Sequence, residues 1–143
     1  MIRKISDTVI VDLTALRISN EAYIVGAALD FFHIDKEENR SYTPYKVASL
    51  YVDDSEIDSM GKCIKYVLER LVKEVPADVK RIVIRSDLKQ FIHNRRYRED
   101  LNGLIDAEIR LKYVDRLGKK RNQLQLLAND AISRKSSVVG VIN

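Results

Sequence analysis

The spacing of apolar residues changes after the first 52 residues, and that change sets what the chain can fold into. Up to Val52 they fall in short β-branched and aromatic runs; from Ile57 to Leu71 they recur three and four apart. The first pattern belongs to strands and the second to amphipathic helices. Thr8-Val9-Ile10-Val11-Asp12-Leu13 reads as a first strand, apolar on both faces. Glu21 to Phe32 reads as a second, in which Gly26, Ala27 and Ala28 leave room for a close backbone approach or a bulge. A polar turn over residues 35–40 leads to a third strand, Ser41 to Val52, where Pro44 argues for an edge or a bulge. Short polar connections between the three predict an antiparallel meander.

Ile57, Met60, Ile64, Val67, Leu68 and Leu71 make the buried stripe of a first long helix. Asp53-Asp54-Ser55-Glu56 supplies its caps and dipole-favoured acids, so Glu56 falls in the first turn. Arg81-Ile82-Val83-Ile84-Arg85 is a fourth strand, short and buried on both faces. Ser86 and Asp87, both good N-cap residues, end it and start a second helix at Leu88 that carries Phe91 and Ile92. Open sheets hold their ligand crevice at such strand ends, which puts Asp87 at the mouth of a site. After the basic run Arg95-Arg96-Tyr97-Arg98, residues 107–114 alternate as a fifth strand, with Ile109, Leu111 and Tyr113 on one face. Lys119, Lys120 and Arg121 fall in a basic loop, and Asn122 caps a last helix with Leu124, Leu127, Ala128, Ala131 and Ile132 inward. Residues 1–135 read as one domain and 136–143 as a C-terminal tail, whose Val138 to Ile142 can add an edge strand or pack on a partner.

With 143 residues, 45% apolar and 32% charged, the chain is long enough for one proper core. A net charge of +4 suits a polyanionic partner. The single cysteine, Cys63, excludes an internal disulfide and fits a reducing compartment. No apolar run approaches the roughly 20 residues that span a bilayer, and Met1 to Ser6 lacks a signal-peptide core. The expectation is a soluble cytoplasmic domain, free of membrane, monomeric or weakly dimeric. Asp12 stands out: a carboxylate inside a Val/Ile run is costly unless it is paired or holds a cation.

The order of elements is three strands, helix, strand, helix, strand, helix. Acids fall on the first strand (Asp12), at the start of the first long helix (Glu56) and after the fourth strand (Asp87). With the motifs Val11-Asp12, Ser55-Glu56-Ile57, Ser86-Asp87 and Leu127-Ala128-Asn129-Asp130-Ala131, the chain resembles the ribonuclease H family over nearly its whole length. The resemblance implies an α/β fold with a five-stranded mixed sheet, three antiparallel strands and then alternating helix and strand, flanked by helices. It also implies a metal-dependent endonuclease that hydrolyses the RNA strand of RNA–DNA hybrids. Asp12, Glu56 and Asp87 would be its catalytic metal ligands, holding two magnesium or manganese ions with Asp12 bridging them. Hard cations of this kind prefer carboxylate oxygens, and a pair about 4 Å apart activates the attacking water and stabilises the leaving oxygen.

Three departures accompany the resemblance. Asn129 stands where the family has a fourth catalytic aspartate, with Asp130 next to it, about 100° round the helix. Leu13-Thr14 follows the first aspartate, where many members have Gly or Ser against the substrate backbone, so Thr14 is the expected substrate contact. The loop before the last helix has no histidine; His33 and His93 lie elsewhere and read as surface or packing residues. Lys119, Lys120, Arg121, Arg95 and Arg96 are the expected phosphate contacts. The alternative is a catalytically impaired relative that binds nucleic acid or a protein. A sugar-kinase or actin-like reading lacks a glycine-rich phosphate loop.

Overall fold

The computed structural model describes residues 8–17, 24–35, 41–53, 60–93, 95–114 and 119–141. Strands β1 (Thr8–Arg17), β2 (Ile24–Asp35) and β3 (Ser41–Asp53) form the expected antiparallel meander. Helix α1 (Met60–Glu74) follows, then β4 (Arg81–Ser86), α2 (Lys89–Ile92), α3 (Arg95–Leu104), β5 (Glu108–Tyr113), α4 (Lys119–Arg134) and β6 (Val138–Val141). The sheet order is β5-β4-β1-β2-β3-β6, with β4 parallel to both β1 and β5. The helices between these parallel strands supply the crossovers that parallel pairing requires. Among the described residues no helix is long and apolar enough to cross a membrane.

The sheet has six strands where the sequence predicted five. The sixth comes from the tail: β6 pairs antiparallel with β3, Ser49 opposite Val138 and Lys46 opposite Val141. Four residues are too few to display a strand period, and this strand is almost wholly exposed, so pairing rather than burial defines it. β1 also runs past Leu13, because Thr14 to Arg17 pair with Ala28 to Val25. Pro44 does mark a bulge: Phe31 faces Lys46 while Phe32 faces Pro44, leaving Tyr45 as the extra residue.

The helix starts differ from expectation at α2 and α4, and the segment after α2 forms a further helix, α3, that was not expected. Asp53 closes β3, and the rest of the predicted cap, including Glu56 and Ile57, lies outside the described residues. The Ser86 hydroxyl accepts the Leu88 N–H at 3.2 Å, turning the chain out of β4, while Leu88 itself occupies the N-cap position of α2 with no side-chain cap. Helix α4 starts at Lys119, so Lys119, Lys120 and Arg121 are helical and Asn122 lies inside the helix. The basic run 95–98 forms the start of α3, which buries Tyr97 and Leu101.

The two faces of the sheet are unlike. Residues 9, 11, 13 and 15 of β1 join Ala27, Leu29, Phe31, Ile82, Ile84 and Ile109 in the main core under α1 and α3. Ile57 and the Met60 side chain of the predicted stripe lie outside the described residues; its other four residues, Ile64, Val67, Leu68 and Leu71 of α1, are buried against this core. Each such side chain contributes about 1.5–3 kcal/mol by leaving water. Among the described residues, the other face is covered by α4, on β1, β2 and β3, through a small cluster of Ala28, Leu124 and Ala128 with Leu127 at its margin. Here Gly26 permits the close approach its sequence context suggested: a Cβ at this position would collide with the Ala128 carbonyl oxygen.

Candidate functional site

The strand register decides what surrounds Asp12. Across the sheet it stands opposite Arg85 on β4 and Asp30 on β2, and Arg85 in turn stands opposite Lys112 on β5. Their neighbours Val11, Leu13, Leu29, Ile84 and Leu111 face the main core, so all four turn to the α4 side. A transverse row Lys112–Arg85–Asp12–Asp30 therefore places two cations beside two anions. The Arg85 guanidinium grips Asp12 with both prongs, Nε donating to Oδ1 at 2.6 Å and Nη2 to Oδ2 at 2.8 Å. Asp12 is fully buried, whereas Arg85 keeps 23% of its side chain exposed. Fork-to-fork pairing of this kind is the strong, oriented form of an ion pair. It answers the cost of burying Asp12, and it offsets the repulsion between carboxylates facing each other on neighbouring strands.

Asp87 lies one step further along. It follows β4 half-exposed, and the Thr14 hydroxyl donates to its Oδ1 at 3.3 Å. Thr14 is two residues beyond Asp12 on β1, a separation of about 6.6 Å along a strand. The structure thus brings Asp87 to Thr14, and Asp12 to Arg85. Thr14 is only 2% exposed, so its hydroxyl holds Asp87 from beneath the surface. Asn129 and Asp130 are exposed on α4, round the helix from the buried Leu124, Ala128 and Ala131. Arg95 and Arg96 are exposed on α3. Glu56 and the side chains of Lys119, Lys120 and Arg121 lie outside the described residues.

The residue types at Asp12 and Asp87 suit a hard divalent ion, but the described arrangement does not. Both Asp12 oxygens are taken by Arg85, and a divalent ion there would meet the guanidinium's own positive charge. Among the described residues no group of three His, Cys, Asp or Glu side chains could hold a metal ion. On the β5 side, hydrogen bonds from Arg110 and Arg81 hold the exposed Glu108 carboxyl below its ordinary range.

Arg85 and Asp30 are the residues of this site that motif reading passed over. Their signal was present but indirect. Asp12 demanded a partner, and Arg85 closes a fourth strand that the sequence also marked. Only the register makes the pairing definite.

No protein-family model matches this chain. No curated protein matches it either. Among solved structures it is similar to LC9-RNase H1, described as a type 1 RNase H with the type 2 active-site motif. That match has a TM-score of 0.62 at 10% identity and covers 95% of this chain and 76% of that one. It is also similar to LC11-RNase H1 in complex with an RNA/DNA hybrid, with a TM-score of 0.54 at 13% identity over 89% of this chain and 98% of that one. At these identities the likeness is one of backbone architecture, and it agrees with the order of elements and the mixed sheet described above. The chain has a ribonuclease H-like fold.

Proposed function

We propose that this chain is a nucleic-acid-binding module of ribonuclease H-like fold in which Arg85 takes the place of a metal beside Asp12. The observation that carries this reading is the bidentate Arg85–Asp12 pair at 2.6 and 2.8 Å around a fully buried carboxylate. Separating the pair exposes the buried charge to a cost of several kcal/mol, which a divalent ion would have to offset before any hydrolysis. The preferred ligand class is an RNA–DNA hybrid, on the strength of the fold and the net charge of +4. Its phosphates would be met by Arg95 and Arg96, with Lys119, Lys120 and Arg121 as further contacts.

A second reading is the hydrolase: a two-metal endonuclease on Asp12, Glu56 and Asp87, with magnesium or manganese as cofactor and Asn129 or Asp130 assisting. Asp87 favours it, since a half-exposed carboxylate held by Thr14 at the carboxyl end of a parallel strand is where an open sheet keeps its chemistry. This route requires Arg85 to release Asp12.

One experiment separates the two. A labelled RNA–DNA hybrid is offered in chelator, in magnesium and in manganese, with binding read by anisotropy and cutting by gel. The expected result is salt-sensitive binding in chelator and an uncut RNA strand under both metals. Metal-dependent cutting that disappears in Asp87→Asn would overturn the binding reading in favour of the hydrolase.

A further inference from the structure

We propose that the carboxyl ends of β4 and β5 carry a stacking platform for single-stranded nucleic acid, built from His93, Tyr113 and Lys89. His93 sits in the C-cap position of α2, exposed to solvent. Its ring lies 6.0 Å from that of Tyr113, the last residue of β5, at an interplanar angle of 37°. The Lys89 ammonium, also from α2, stands 5.8 Å from the centroid of the same Tyr113 ring. Two elements thus converge an imidazole, a phenol and an ammonium on one spot. Tyr113 stands opposite Ser86 in the sheet register, so this spot adjoins the position of Asp87.

The chemistry points to an unpaired base. Tyr113 is half-buried, which fixes its ring, while the exposed imidazole extends the aromatic surface outward. Bases in a duplex have both faces covered by their neighbours; only a single strand or a frayed end offers a face for stacking. Lys89 stands by the Tyr113 ring, and Arg95 and Arg96 follow His93 within three residues of chain; all three are exposed, a supply of positive charge for the phosphates on either side of a stacked base. Aromatic surface interleaved with such charge is the recognition mode of sequence-tolerant single-strand binding. Neither His93 nor Tyr113 belongs to the row around Asp12, so the platform is a separate contact that would hold a strand leaving a hybrid.

The proposal rests on the nucleic-acid reading above, and its test separates the two. Anisotropy in chelator compares a blunt hybrid with the same hybrid carrying a single-stranded extension of about six nucleotides. The extension is expected to tighten binding by about tenfold, the size of one or two base–aromatic stacks. His93→Ala, at an exposed position, should remove most of that gain and leave blunt-hybrid affinity unchanged, whereas His93→Phe should retain it. Equal affinity for the two ligands, or a gain that survives both His93→Ala and Tyr113→Leu, overturns the platform while leaving the hybrid reading intact. Failure to bind either ligand overturns both.

Discussion

The two faces of this sheet solve different problems with the same strands. On the α1 side, Val9, Val11, Leu13, Leu29, Phe31, Ile82 and Ile84 meet helices that cover the sheet with large apolar side chains. On the α4 side the alternate residues of those strands include Asp12, Thr14, Asp30 and Arg85, and the helix touches down on Gly26 and Ala28. The first face is held by non-directional burial, in which many side chains each add a little. The second adds directed contacts to a smaller apolar cluster: the Arg85–Asp12 fork, the Ser49 hydroxyl donating to the Leu127 carbonyl at 2.6 Å, and backbone contact at Gly26. The difference teaches where change is tolerated. Volume-conserving apolar swaps should be absorbed on the first face, while the second depends on particular partners.

The largest expected effect follows from the ion pair. Arg85→Ala leaves Asp12 buried without its counter-charge, and unfolding in urea should show a loss of about 3–5 kcal/mol. Replacing both partners, as in Asp12→Leu with Arg85→Met, should recover stability to within about 1 kcal/mol of the original, because neither charge is then buried. A loss below about 1 kcal/mol for Arg85→Ala would mean that Asp12 draws its stability from other groups, and the contrast between the faces would fail at its centre.

A smaller effect is expected at Gly26. In Gly26→Ala the new methyl must displace the Ala128 carbonyl and α4 with it, at about 1–3 kcal/mol. The damage should be confined to one side. Hydrogen exchange is expected to quicken in α4, with little change in α1 relative to the rest of the chain. Equal quickening on both sides of the sheet would show that the faces unfold as one unit and are less independent than their chemistry suggests.

What could be read from the residues follows the same division. The meander, the α1 stripe, β4, β5 and the inward residues of α4 were legible because burial imprints a period on sequence. The Gly26 approach and the Pro44 bulge were legible because glycine and proline report backbone needs directly. Three things were hidden for one reason. Arg85 as the partner of Asp12, Asp30 as its neighbour and Thr14 as the holder of Asp87 all depend on strand register, and shifting a register by a single residue turns a side chain to the other face. β6 was only an option, because an exposed four-residue strand has no burial to mark it. The helical start of α4 at Lys119 precedes the cap expected at Asn122; Lys and Arg are good helix formers, so the basic run continues the helix instead of forming a loop.

The smallest effect concerns a polar group on the α1 face that is left without a partner. Among the described residues, the Tyr45 hydroxyl is buried with no hydrogen-bond partner, on a residue packed against the main core. Burial, with the Glu74 carboxylate adding to it, pushes its pKa from 10.0 up to about 12. The folded chain therefore keeps this proton at pH values where the unfolded chain has lost it. Its effect on stability is constant below pH 10 and turns unfavourable as pH rises from about 10 through about 12. Tyr45→Phe deletes both the orphan hydroxyl and the titration. Stability at neutral pH should rise by about 1 kcal/mol or less, and the alkaline limb of the urea midpoint should flatten between pH 10 and 12. Parallel alkaline limbs for the two proteins would show that this hydroxyl reaches solvent or a partner once charged. The α1 face would then tolerate a polar group as the α4 face does, and the line between them would be one of degree.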